Sequence, residues 1–200
     1  MSGFEYRHRA GVLSAVLIAL SLFGCAGGDS GLQTFELIAP KEFGDVRAAR
    51  GSLSVALPTA LQALDSERVV VQPSPGVINY LGGARWSDRL PRIVQARIVE
   101  AFENGKRIRA VVRGGGQFRS DFQLVTELRE FGVLVAGEPT ALVDISARIV
   151  NERTGRVVAA QVFSARAETS SVDGPSATAA INTAFGIVLI DLVRWTSTKI

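Results

Sequence analysis

The stretch DRLPRIVQARIVEAFENGK, Asp88 to Lys106, decides how the rest of the chain is read. Leu90, Ile93, Val94, Arg97, Ile98 and Phe102 recur at intervals of three and four, the spacing that gathers side chains into one stripe of an α-helix. Ser87 or Asp88 stands where a cap is wanted, Pro91 falls in the first turn where a missing N–H costs little, and Asn104-Gly105 followed by Lys106 supplies a C-terminal stop. A helix with one buried stripe needs an apolar surface to lie on, and that surface must come from elsewhere in the chain.

The flanking sequence changes period and supplies strands. Upstream, Leu32, Phe35, Leu37 and Ile38 mark a first strand stopped by Pro40, and Leu53, Val55 and Leu57 alternate up to Pro58. ERVVVQP and GVINYL, joined around Pro73 to Gly76, read as a hairpin. Downstream come RIRAVV, DFQLVTELREFGVLV, TALVDISARIV and RVVAAQVFSARA. Val143, Ile145, Ala147 and Ile149 alternate with Asp144, Ser146 and Arg148, so one face of that strand is expected to be dry and the other wet. The loop NERTG, with Gly155, makes the last two strands a hairpin, and slips in the alternation near Arg129–Phe131 and Val162–Phe163 predict bulges. Gly82-Gly83 and Gly114–Gly116 fit neither GxGxxG nor a phosphate-binding loop, since no GK[ST] follows, and both read as turns.

The chain closes with DGPSATAAINTAFGIVLIDLVRWTSTKI, in which Gly174-Pro175 opens a second helix and Ala177, Ala180, Ile181, Ala184, Phe185, Val188, Leu192 and Trp195 keep helical spacing. It is apolar over a wide arc, which predicts deep packing against the sheet; a partner groove or a membrane surface would also use such an arc. The expected fold is α+β, a mostly antiparallel sheet packed against two long helices in a single domain.

Ahead of the domain, Arg7, His8 and Arg9 precede the apolar run VLSAVLIALSLF and then LFGC, which ends in Cys25. The run is about a dozen residues, short of the roughly 20 that span a bilayer, and the order is that of a secretory signal. LFGC resembles the lipobox of bacterial lipoproteins, with Leu22, Gly24 and Cys25 matching and Phe23 bulkier than is usual. The division expected is a lipoprotein signal peptide at 1–24, a lipidated tether at 25–31 and the folded domain at 32–200, with Cys25 carrying the acyl chains that hold the protein on a membrane. An uncleaved N-terminal anchor and a plain secretory signal with an incidental cysteine are the other two readings of the same stretch.

Composition narrows the chemistry. His8 is the single histidine and Cys25 the single cysteine, so once the first is cleaved away and the second capped, no histidine triad, cysteine–histidine pair or zinc-thiolate site can be assembled. No catalytic residue, cofactor-binding residue or metal ligand is assigned. Asp88, Glu100, Glu127, Asp144 and Glu152 leave carboxylate-only hydrolysis as a formal alternative, and solvated faces account for them more simply. The net charge of +3 is spread without a block, which argues against nucleic acid. The weak basic cluster Lys106, Arg107, Arg109, Arg113 and Arg119 reads as a helix end followed by solvated strand and loop, with anionic headgroups or an acidic partner as the alternative.

The run INYLGGARWSDRLPRIVQARIVEAFE, through Tyr80, Trp86, Leu90, Pro91, Val94 and Gln95, together with the long strand pair and the alanine-rich final helix near Trp195, resembles the ABC-type transport auxiliary lipoproteins, also called PqiC-like. Those positions form a packing motif with no chemistry in it. The resemblance implies a non-enzymatic periplasmic domain that works by protein–protein contact beside an MCE-family protein and its ABC permease and ATPase, in systems that move lipids or other hydrophobic compounds. Tethering by the acyl chains raises the local concentration, so even a weak interface would serve if copies assemble, and a homo-oligomer is the secondary expectation. Ala26 stands where enteric bacteria place the aspartate of inner-membrane retention, which favours the periplasmic face of the outer membrane over that of the inner membrane. Arg85, Arg113 and Arg119, in or beside the glycine-containing loops, are the candidate partner contacts. An unrelated envelope-assembly or scaffolding lipoprotein is the competing class.

Overall fold

In the computed structural model the residues described are 31–44, 48–106, 108–115 and 119–200. Cys25, the signal segment and most of the tether lie outside them, as do Arg107 and Gly116. Nine strands and two helices follow in the order β1 Gln33–Phe35, β2 Ser52–Val55, β3 Thr59–Ala60, β4 Arg68–Ser74, β5 Val77–Trp86, α1 Leu90–Gly105, β6 Ala110–Arg113, β7 Phe122–Leu134, β8 Thr140–Asn151, β9 Val157–Glu168 and α2 Gly174–Ser197.

The sheet is organised by β7. One of its edges is occupied along the full length by β8, with β9 beyond. The other edge is shared by three short strands, all parallel to it: β2 against Phe122–Leu124, β3 against Glu127–Leu128, and β4 against Gly132–Leu134. β6 extends the sheet beyond β2, and β5 followed by β1 extends it beyond β4. The expectation of a mostly antiparallel sheet is therefore corrected. The two longest ladders are antiparallel, but among the described residues five of the eight pairings are parallel, so the sheet is mixed.

Helix α1 starts one residue later than its expected cap. Its N-cap is Arg89, which makes no side-chain cap bond, while Asp88 Oδ1 accepts from Arg89 N at 2.7 Å. The first-turn donor Leu90 N instead reaches the Ser66 carbonyl at 3.0 Å, so the preceding loop satisfies what a capping side chain would have done. At the other end the left-handed residue is Lys106, φ 50°, and Gly105 is the last helical position, close to Val193 of α2. Helix α2 is capped conventionally: Asp173 Oδ1 accepts from Ser176 N at 2.9 Å.

Three further corrections concern the strands. Gly82 and Gly83 are not a turn; they lie within β5. Between Arg68↔Arg85 and Val70↔Tyr80, five steps along β5 face two along β4, and Gly83 takes φ 71° to absorb the excess as a wide bulge. The expected bulge at Arg129 is present between Leu128 and Glu130, but the second sits at Val158; Val162 and Phe163 pair in register with Ser146 and Ile145. The first strand ends at Phe35, and the segment beyond it is a strap tied to both helices. Asn182 of α2 accepts from Ile38 N and donates to the Glu36 carbonyl, Asn104 of α1 donates to the Pro40 carbonyl, and Arg194 of α2 donates to the Phe43 carbonyl. Leu37 and Phe43 go into the core, whereas Leu32 and Ile38 stay exposed.

One continuous core joins the sheet to both helices. Trp86, 1% exposed at the end of β5, meets Phe131 of β7 edge to face at 6.3 Å, and Phe131 meets Phe185 of α2 at 5.5 Å. A second aromatic pair, Phe163 and Trp195 at 5.4 Å, locks the far end of α2 onto β9.

Candidate functional site

The residues singled out along the motif fall into distinct physical roles. Leu90, Pro91 and Val94 are buried on α1, and Trp86 is the aromatic they lead from. Gln95 uses its amide to hold helix to sheet: Nε2 donates to the Val55 carbonyl at 2.9 Å, an oxygen that also receives Gly114 N at 2.7 Å. Tyr80 is half-buried on β5, with the Arg68 guanidinium 3.5 Å above its ring.

Beside Gln95 the space between α1 and β6 opens into a groove of about 580 Å³, lined by Glu36, Leu57, Asp88, Arg92, Gln95, Arg97, Arg113 and Gly114. It continues along α1 past Val99, Glu100 and Glu103 against Val111–Arg113. Arg97 crosses its floor: Nη2 donates to Glu36 Oε2 at 3.0 Å and Nη1 pairs with Glu100, while Nε is buried without a partner. Burial alone would make the Arg97 guanidinium less basic, but the hydrogen bonds to Glu100 and Glu36 outweigh it and raise its pKa. Glu36 is held below the usual glutamate range, first by the Ser87 hydroxyl and then, against some burial, by Arg97. Along its length the groove carries three arginines, Arg92, Arg97 and Arg113, and four carboxylates, Glu36, Asp88, Glu100 and Glu103; Arg92 and Arg97 face carboxylates within the groove, and Arg113 stands at its rim. The lining is a mixed-charge set of arginines and carboxylates with Gln95, and contains no histidine or cysteine.

The three arginines named as contacts are not brought together. Arg85 is exposed on β5, bonded through Nε to Thr34 Oγ1 at 3.1 Å and 3.8 Å from Glu67. Its strand flanks β4, which pairs with the C-terminal end of β7. Arg113 ends β6, and Arg119 leads into β7, both at the opposite end of that strand. Gly114 and Gly115 form the expected turn there. The segment after it is pinned by Glu152, which accepts from Ser54 at 2.9 Å and from Ser120 at 2.9 Å, and by Asp121, which accepts from Ser52.

The five carboxylates considered for hydrolysis lie on separate elements. Asp88 faces Arg92 at 3.7 Å, Glu100 is paired with Arg97, Glu152 holds the two serines, Glu127 is exposed on β7, and Asp144 sits on β8 with Oδ1 unpartnered. Among the described residues no group of three or more histidine, cysteine, aspartate or glutamate side chains is placed to hold a metal ion. What the sequence reading missed is the Arg97–Glu36 pair. Its signal was available: an arginine on the otherwise apolar stripe of α1 needs a carboxylate partner.

The family model for the ABC-type transport auxiliary lipoprotein component matches residues 35–191, from the end of β1 almost to the end of α2. The chain belongs to this family. A crystal structure of a DUF330 protein from Xanthomonas campestris superimposes with a TM-score of 0.75 at 28% identity, covering 84% of this chain and 96% of that one. A hypothetical protein from Chlamydia trachomatis shares the fold alone, with a TM-score of 0.53 at 10% identity over 76% of this chain and 98% of that one. An uncharacterized protein of Bradyrhizobium diazoefficiens is 30% identical over 190 residues, 93% of this chain and 50% of that protein, so the chain spans about half the length of the curated relative it matches. The family is described as an auxiliary lipoprotein component of ABC-type transport, which is not an enzyme family. In that light the packing motif, from Tyr80 to Gln95, builds the scaffold on which an auxiliary lipoprotein presents its surface.

Proposed function

We propose that this auxiliary lipoprotein is anchored at the periplasmic face of the outer membrane through acylated Cys25, and serves an MCE/ABC-type system that moves lipids or other hydrophobic compounds across the envelope. It acts by contact with the MCE-family protein and, through it, with the permease and ATPase. The observation that carries the reading is the family match over residues 35–191. The lipobox-like LFGC and the alanine at position 26 support acylation and outer-membrane sorting. Arg113 and Arg119 are the favoured contacts, because Arg113 lines the α1–β6 groove and Arg119 stands exposed at the same end of β7; Arg85 belongs to a separate surface. Several copies gathered on one membrane would bind multivalently, so a weak interface suffices.

The test is copurification from solubilised envelopes, followed by direct binding of the acylated protein to the ectodomain of the MCE protein encoded beside it. Binding that weakens with Arg113→Glu and Arg119→Glu together supports the reading. Recovery of an outer-membrane or cell-wall partner in place of the MCE protein would make this a scaffolding lipoprotein.

A further inference from the structure

We infer that the tip of the β4–β5 hairpin, Pro73 to Ile78, rests in the surface of the lipid bilayer beside the acyl anchor, so that the domain is held on its membrane in one orientation. The inference rests on the acylation of Cys25 and adds to it a second, non-covalent membrane contact.

The hairpin is unlike the rest of the surface. From Gln72 to Ala84 there is no aspartate, glutamate, lysine or arginine. β4 pairs with β7 only as far as Gln72↔Leu134, and beyond that point the hairpin closes at Ser74↔Val77 around Gly76. Val77 and Ile78 are 44% and 48% exposed; Leu61, 80% exposed, shares with Ile78 a depression whose inner side, away from the tip, is lined by Arg129 and Glu130. An uncharged tip with protruding aliphatic side chains loses little when its water is replaced by headgroups and acyl chains.

The direction of β1 supports an anchor at the same end. β1 runs parallel to β5, with Gln33 opposite Ala84, so β1 is entered, through Gly31 and Leu32, from the side of the hairpin tip. The first of them, Leu32, is 57% exposed. Eight residues back from Gln33 is Cys25. An extended chain of that length reaches up to about 27 Å, and β4, which spans the same distance without the bulge, runs six residues from Arg68, opposite Arg85, to Ser74 at the tip, on the order of 20 Å. The acyl chains can therefore enter the bilayer level with Val77 and Ile78. Once the anchor is inserted, contact by the tip is an intramolecular event, and a patch too small to bind a membrane unaided is enough to orient the domain. Exposed Glu138, in the β7–β8 turn beside the hairpin, limits the depth to the headgroup region.

The experiment uses the full acylated chain on phosphatidylethanolamine/phosphatidylglycerol vesicles. Because Cys25 is capped, an environment-sensitive fluorophore can be attached through Ile78→Cys or, at the opposite end of the sheet, through Arg153→Cys. Nitroxide-bearing lipids should quench the label at position 78 at least twofold and leave that at 153 unchanged. With the label moved to Leu32→Cys, Val77→Asp should reduce its quenching while the thermal melt stays the same. If the chain floats with the vesicles and both labels are equally unquenched, the domain swings freely and the inference is overturned. It is also overturned if position 78 is shielded from aqueous iodide without quenching by lipid nitroxides, since a protein then covers the hairpin. A chain whose mass shows no acyl group and which does not float would remove the Cys25 reading and this inference with it.

Discussion

Helices α1 and α2 lie on the same sheet and are buried by different means. α2 has a mean hydropathy of 1.7 over its most apolar stretch, long and apolar enough by length and composition to cross a membrane, yet it lies on β7, β8, β9 and β5 of its own domain. Ala177, Ala180 and Ala184 bring it close to the strands, and Phe185 enters the aromatic chain from Trp86 through Phe131. α1 rests on the short strands β2 and β6 and is held by polar devices: Gln95 to a sheet carbonyl, Asn104 to the strap, and Arg97 between two carboxylates. The first region is a dry core that resists any vacancy. The second joins a buried stripe, Leu90 to Phe102, to an open outer face whose polar side chains can change at small cost.

The contrast can be broken or sharpened by substitution. The largest effect is expected for Trp86→Ala, about 3–5 kcal/mol of stability lost to the cavity and the missing aromatic contact, read by urea or thermal unfolding. A fully stable variant that lost only partner binding would place Trp86 at a recognition surface. Next is Gly132→Ala on β7, where a Cβ would stand 2.4 Å from the Val70 carbonyl oxygen. β4 would have to move away, at a cost of about 1–3 kcal/mol, with amide exchange accelerated in β4 before α1. On the α1 side, Lys106→Gly should raise stability by up to about 1 kcal/mol, because a left-handed residue loses its Cβ clash. A drop in melting temperature would show that the Lys106 side chain contributes more than its backbone strain costs.

Glu36→Gln is expected to have the smallest effect, under about 1 kcal/mol at neutral pH for a pair that is largely solvent-screened. Its sign is set by pH. Glu36 has a folded-state pKa below its unfolded one, so its contribution is present above the unfolded value and is lost as pH falls through the folded value. The gap between wild type and variant should therefore narrow as pH falls below the ordinary glutamate range and close below the folded-state pKa. A gap that stays constant into acid would mean the carboxylate charge contributes nothing.

The dry region was legible in the sequence because its pattern is local. Val143 to Ile149 alternate, and the stripe from Ala177 to Trp195 repeats, each within a few turns or residue pairs. The parallel pairings were not legible. β2 shows ordinary alternation, and nothing near Leu53 says that its neighbour is Phe122, far along the chain. Gly82-Gly83 misled for a related reason: a wide bulge and a turn use the same residues, and only the register against β4 separates them. Capping by Ser87 or Asp88 failed because the Ser66 carbonyl, from another segment, met the first donor of α1. At the candidate site, Arg113 was placed by its loop, while the groove it lines depends on Arg97 meeting Glu36 of the strap; the stripe of α1 shows that Arg97 needs a carboxylate, and nothing local shows which one.

The position of β7 also fixes the order in which the molecule can come into being. β2 and β3 precede every strand they pair with, and the inner edge of β4 is closed only by Gly132–Leu134. A chain emerging amino-terminus first has therefore passed well over half its length before the sheet can be completed. The pairings then close long loops, which makes folding slow and concerted and leaves the emerged part open to chaperones and proteases until β7 arrives. Pulse-chase protease protection should accordingly appear in one step, only after β7 and the elements that cover it, β8, β9 and α2, have cleared the exit.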